Sequence, residues 1–245
     1  MRKIIDLDDF ERVVRGKLPR AVFDYVRRGS ETETTLRTNR AVFDDWRFVT
    51  RVLVGVRERS QDVTLFGRRY SAPFGIAPMG GSALVAYDGH NVMARAAAAA
   101  DIPFILSANS IIPLEEVAKQ NPDTWFAVCQ SATREAVTGI ADRCARAGIR
   151  VLVVTADVPM HSNRESDARN GFGFRVRPTP RLTWDVAIHP RRMLGVLART
   201  VFKRGIPRMV NLEPSGGPSL FSSRMKGSTA HPVLSWHHIR ILRDH

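Results

Sequence analysis

The chain has 245 residues, 44% hydrophobic and 25% charged, enough for one large α/β domain and ordinary for a globular protein. That composition excludes a disordered, collagenous or disulfide-built chain, and Cys129 and Cys144 lack the spacing of a structural zinc site. The net charge of +13 comes almost wholly from scattered arginine, with five lysines among 37 basic residues, which argues against a nucleic-acid-binding tract.

The N-terminus, MRKIIDLDDFE, has no apolar core of a signal peptide. The expected location is therefore the cytoplasm. Nothing approaches eighteen uninterrupted apolar residues. Residues 6–16 read as a short helix with acidic residues in its first turn. Pro19 can open a second helix ending near Gly29, with Phe23 and Val26 on one face and Tyr25 beside them. Ser30 and Glu33 have the spacing of a capping box, opening a third helix to about Trp46. Two short strand-like pieces, Val63–Leu65 and Arg69–Tyr70, flank Gly67 as a hairpin. Residues 1–72 thus read as a helical cap with a small hairpin.

From Pro73 the pattern repeats. Phe74–Ala77 is strand-like and ends in Pro78-Met79-Gly80-Gly81. A helix follows over His90–Asp101, its alanine tract bounded by Arg95 and Asp101. Phe104–Leu106 is a strand, Leu114–Gln120 a helix, Trp125–Cys129 a strand, and Thr133–Ala147 a helix closed by Gly148. Val151–Val154 is the fourth strand and runs into Thr155, Asp157 and Pro159, with Arg164 beyond. Alternating strands and helices imply a parallel sheet with right-handed crossovers, and every strand end carries small or polar residues to one rim. Residues 159–232 break the rhythm as a long Pro-, Gly-, Ser- and Arg-rich loop with one helix near 190–203. Ser235 caps a last helix from Trp236 to about Arg243. Residues 73–245 thus read as a partial (β/α) barrel of four strands.

On the residues alone, Asp157 could cap a turn and Arg164 could be a solvated surface charge. The stretches FDYVRRGSE, LFGRRYSAPFGIAP, DG…ARAAAAADIPFILS, LEEVA, VVTADVP…NRE-DAR and LSW…I-LR together resemble the FMN-dependent 2-hydroxy acid oxidase and dehydrogenase family, which includes glycolate oxidase, L-lactate dehydrogenase and mandelate dehydrogenase. The resemblance runs over about 5–175 and resumes at 233–243. It implies the N-terminal half of a (β/α)8 TIM barrel with an N-terminal helical cap, FMN across the C-terminal strand ends, and oxidation of a small L-2-hydroxy acid to the 2-oxo acid. Tyr25 matches the tyrosine that holds the substrate carboxylate. Pro78, Met79 and Gly80 match the backbone along the flavin, Ser107 a flavin-contacting serine, and Thr155 the threonine at the pyrimidine edge. Asp157 matches the aspartate that orients the catalytic histidine, and Arg164 an arginine near the substrate.

The chain departs from that family in three places. Ala127 stands where a flavin-binding glutamine is expected, Cys129 where a second substrate tyrosine is expected, and His90 where an acid is common. The family's catalytic histidine, flavin lysine and phosphate site are expected beyond His245, so none of His161, His189, His231, His237, His238 or His245 is assigned the base. Two other readings stand beside the enzyme: a non-catalytic truncated remnant, and a basic peripheral-membrane protein. The segment 191–208, where Arg191, Arg192, Arg199, Lys203, Arg204 and Arg208 alternate with apolar residues, carries the membrane reading, at the inner face. In mandelate dehydrogenase the equivalent insertion serves membrane attachment. The acceptor (oxygen, quinone or cytochrome) and a homo-oligomeric state both stay open.

Overall fold

The computed structural model describes residues 4–128, 134–156, 162–172, 179–190, 193–220, 222 and 235–245. Three helices come first: α1 over Leu7–Arg15, α2 over Arg20–Arg27 and α3 over Thr34–Ala41, the last running into a 3-10 turn at Val42–Asp45. The capping box lies at α1. Asp9 N–H donates to Asp6 Oδ1 at 2.8 Å, and Asp6 N–H donates back to Asp9 Oδ2 at 3.2 Å. The expected box at Ser30 and Glu33 does not form. Glu33 adopts a left-handed φ of 59°, and its N–H closes a turn on the Ser30 carbonyl at 2.9 Å. The helix therefore starts at Thr34 with no side-chain cap.

Strands β1 (Val63–Leu65) and β2 (Arg68–Tyr70) pair antiparallel around Phe66-Gly67, both at positive φ, as a two-residue hairpin of the mirror-turn type requires. The hairpin packs against the barrel at one end. Arg68 bonds Asp101 at 2.6 Å and Asp123 at 2.9 Å, the residues ahead of the next two strands, and Phe66 and Tyr70 meet the Trp125 ring edge-on. It thereby occupies the N-terminal end of the sheet and leaves the C-terminal strand ends as the open rim.

The sheet is parallel in the order β3 (Phe104–Ser107), β4 (Thr124–Val128), β5 (Leu152–Val154). The expected first strand, Phe74–Ala77, is reduced to one parallel bridge, Ile76 to Phe104. Among the described residues it has a neighbour on one side only, and Phe74 is 61% exposed. At Gly75 a side chain would fall 2.4 Å from the Pro103 carbonyl, so only glycine permits this approach.

Helices α4 (Ser82–Val85), α5 (Gly89–Ala100), α6 (Leu114–Gln120) and α7 (Arg134–Arg146) connect the strands. Successive strand residues alternate faces. Phe104, Leu106, Phe126, Val128, Leu152 and Val154 therefore share one face. They pack with Ala94, Ala97, Leu114, Val117, Ile140 and Cys144 of the helices in one continuous core. Burial pushes the Cys144 thiol up to about 12, so it is an inert packing group at neutral pH. The opposite face is the barrel interior.

The long loop expected over 159–232 is largely helical in its described parts: α8 (Glu165–Asn170), α9 (Pro180–Ala187), a π-helical turn at Met193–Ala198 and α10 (Arg199–Arg204). The expected helix near 190–203 falls on the last two of these; α8 and α9 were not expected. Residues 209–220 return to the main core through Met209, Leu212 and Leu220. The final helix, α11 (Trp236–Asp244), starts at Ser235 and packs against α7.

Candidate active site

The ladder register sets the rim. Ser107 is opposite Ala127, and Ala127 is opposite Val153. Alternation puts Ile105, Ser107, Trp125, Ala127 and Val153 on the interior face and carries Thr155 to the same side one step further. Thr155 is half-buried, and its N–H reaches the Val128 carbonyl at 3.4 Å. The structure thus brings Ser107 and Thr155 to one rim with the small Ala127 between them. Asp157 and Cys129 lie outside the described residues.

The second part of the rim is the loop Pro78–Gly81. Pro78, Met79 and Gly80 are exposed, and the loop is tied to the one after β3. Gly81 N–H donates to the Asn109 carbonyl at 3.3 Å, and a side chain at Gly80 would sit 2.9 Å from Asn109 Cβ. Between these loops lies His90, 1% exposed. Its Nε2 is 2.9 Å from the Met79 carbonyl, and its Nδ1 is 2.9 Å from Ser82 Oγ and 3.1 Å from Ser110 Oγ. Burial lowers its pKa, against the Met79 hydrogen bond and Asp88, so the ring is neutral. Sequence reasoning gave this residue little weight. Its place at the start of a helix, after a glycine-rich strand end, was the available signal.

The third part is α2. Tyr25 lies half-buried with its ring edge-on to Phe172 at 5.6 Å, and burial raises the phenol pKa. The Arg164 guanidinium stacks 4.8 Å from the Tyr25 ring centroid. It donates to the carbonyls of Tyr25 and Arg28 and pairs with Asp167 at 3.4 Å. Arg164 thus sits where the end of α2 exposes unpaired carbonyls and negative dipole charge. At the other end Ala21 N–H donates to Asp185 Oδ2 at 3.0 Å, and at its middle Asp24 accepts from Asn170. The helix that carries Tyr25 is therefore held at both ends by residues of the insertion. The structure joins Tyr25 to Arg164, and links the Pro78–Gly81 loop to Ser107 through Asn109, whose N–H donates to Ser107 Oγ at 3.2 Å.

The basic segment is less free than its sequence suggests. Arg204 pairs with Asp88 and Glu116 at 2.6 Å, and Arg199 stacks 4.0 Å from the Tyr87 ring. The hydrogen bond from Arg204 holds the Glu116 carboxyl below its usual range. Arg143 likewise bonds Glu115, the Val210 carbonyl and Asn211. Two cations of the expected anionic-surface patch thus fasten the insertion to the barrel, while Lys203 and Arg208 stay exposed and Arg191 and Arg192 lie outside the described residues. Beside them Phe202 is 87% and Leu194 64% exposed. No helix among the described residues is long and apolar enough to cross a membrane.

A capped parallel α/β sheet whose strand ends carry Ser107 and Thr155 beside a glycine loop has the architecture of part of an α/β barrel, the class in which sites lie at the C-terminal strand ends. Comparison with known proteins specifies which. Residues 14–245 match the model of the FMN-dependent dehydrogenase family. (S)-mandelate dehydrogenase of Pseudomonas putida is 31% identical over 245 residues, 99% of this chain and 61% of that protein. L-lactate oxidase of Lysinibacillus sphaericus is 31% identical over 96% of this chain and 56% of its own length. The crystal structure of the monotopic membrane protein (S)-mandelate dehydrogenase superposes with a TM-score of 0.87 at 30% identity, over 99% of this chain and 64% of that one. The chain belongs to the FMN-dependent dehydrogenase family, has the fold of part of its TIM barrel, and spans about three fifths of the length of these relatives. The cofactor of the family is FMN.

Proposed function

We propose that this chain holds FMN on the rim formed by Pro78–Gly80, Ser107 and Thr155, and serves the oxidation of a small L-2-hydroxy acid to its 2-oxo acid. The observation that carries the reading is the shared interior face of Ser107, Ala127 and Thr155 beside an exposed glycine loop. Small side chains and hydroxyls at strand ends suit a flat ring with polar edges, and Ala127 adds no bulk there. Bound there, FMN would supply the two-electron acceptor for an alcohol carbon becoming a ketone carbon. The chain's own residues would bind and orient. The Tyr25 hydroxyl is a neutral phenol, which burial keeps protonated, and can donate to a substrate carboxylate. Arg164 stacks on that ring and fixes the end of α2, so its charge lies near the same carboxylate while its hydrogen bonds position Tyr25. Asp157 would orient a proton-accepting imidazole, as in other carboxylate–histidine pairs.

Titration of the purified chain with FMN tests this. Flavin fluorescence should be quenched on binding, and Ser107→Val and Thr155→Val should each weaken binding by about tenfold, the cost of one lost hydrogen bond in a dry site. An absence of FMN binding would leave the non-catalytic reading in its place.

A second reading concerns location. The exposed Leu194, Phe202 and Ile206 beside Lys203 and Arg208 form an apolar, basic surface suited to an anionic bilayer. A structural relative, (S)-mandelate dehydrogenase, is a monotopic membrane protein. Sedimentation with anionic vesicles should fall for Phe202→Ser and for Lys203→Glu, and unchanged sedimentation would remove this reading.

A further inference from the structure

His90 has no place in the chemistry above, yet it is among the largest fully buried side chains and both its ring nitrogens are engaged. A carbonyl carries no proton, so Nε2 must donate to Met79 O, and the neutral ring then has its acceptor at Nδ1. Ser82 Oγ can donate to that acceptor; Ser110 Oγ, 3.1 Å from Nδ1, accepts from the Ile112 N–H and has a single proton to give either to Nδ1 or to the Ile112 carbonyl. One imidazole thus joins the loop after the first barrel strand to the loop after β3.

The consequence lies one bond away. All peptide bonds of the described residues are trans, so the Gly80 N–H points opposite to the Met79 carbonyl. With that carbonyl drawn inward to His90, the N–H is turned outward on an exposed residue. Among the described residues it meets no backbone or side-chain acceptor. A carboxylate, which the family resemblance places at this position, could not donate to Met79 O. The histidine therefore changes the chemistry of the contact.

We propose that His90 is a positioning residue of the cofactor rim: its Nε2–H locks the Met79–Gly80 peptide so that the Gly80 N–H faces a hydrogen-bond acceptor on a flat ligand. This rests on the FMN reading for the ligand; the lock itself does not.

The test uses the full chain with His90→Gln and His90→Asn. Glutamine carries its amide to the position of Nε2 and keeps the donor to Met79 O. Asparagine reaches only the Ser82 and Ser110 side. A merely structural histidine would make the two variants alike. His90→Asn should weaken FMN binding about tenfold while His90→Gln stays within about threefold, the difference one hydrogen bond makes. Unfolding midpoints measured alongside should not rank the variants in that order. In the cofactor-free chain, nitrogen NMR should show His90 protonated at Nε2, and the Gly80 amide resonance should be shared by wild type and His90→Gln but moved in His90→Asn. Equal FMN affinity for wild type and His90→Asn would overturn the proposal. So would losses in both variants that track stability, or a ring protonated at Nδ1. If wild type fails to bind FMN, the function reading falls and the NMR arms alone decide the lock.

Discussion

Helices α5 to α7 and helix α2 solve the same problem in different ways. The barrel helices bury an apolar stripe against the sheet, Ala94 and Ala97, then Leu114 and Val117, then Ile140 and Cys144, all in one core. Helix α2 fully buries only Ala21. Its ends are closed by Asp185 and Arg164, 164 and 139 residues away in sequence. Tyr25 thus rides on a helix whose position is fixed by polar contacts from the insertion, whereas Ser107 and Thr155 ride on the apolar core. The two halves of the candidate site should respond to different perturbations.

The largest effect should come from the core. Phe126 is fully buried, and Phe126→Ala should cost about 3–5 kcal/mol in denaturant unfolding, exposing every barrel helix together. Arg164→Ala removes the partners of two helix-end carbonyls and leaves Asp167 unpaired. With the guanidinium about a quarter exposed, a loss of about 2 kcal/mol is expected. Hydrogen exchange should then accelerate in α2 while α5 and α6 keep their protection, and uniform acceleration would erase the contrast. Asp185→Ala removes one acceptor at the other end of α2 and should cost about 1 kcal/mol, with Asp185→Asn nearly neutral because an amide oxygen still accepts. The gentlest effect is a slope. Burial lowers the His90 pKa from 6.5, so below that value the unfolded chain takes up a proton that the folded chain refuses. The His90 contribution is complete above pH 6.5 and is lost as pH falls toward the folded value. His90→Gln should flatten that part of the stability profile.

Several misreadings share one cause. The Ser30–Glu33 spacing fits a capping box, yet Glu33 enters the left-handed region and only closes a turn, while the less usual Asp6–Asp9 pair forms the box. Arg204 reads as part of a basic patch for an anionic surface, but it is paired with acidic partners 88 and 116 residues away. Helix α8, six mostly polar residues, has no apolar period to reveal it. Helix α9 did carry a signal, since Thr179 accepts from Leu182 N–H just ahead of Pro180 at the first helical position.

By itself the sequence determined the alternation of strands and helices from Pro73, the capped parallel architecture and the family. These follow from local periodicity and from short motifs, both of which survive as patterns along the chain. Only the tertiary structure decided that Arg164 and Asp185 close the two ends of α2, that Arg204 fastens the insertion to the barrel, and that His90 bridges two loops. A buried polar group must find its partner wherever the fold brings one, and no spacing along the chain encodes that distance.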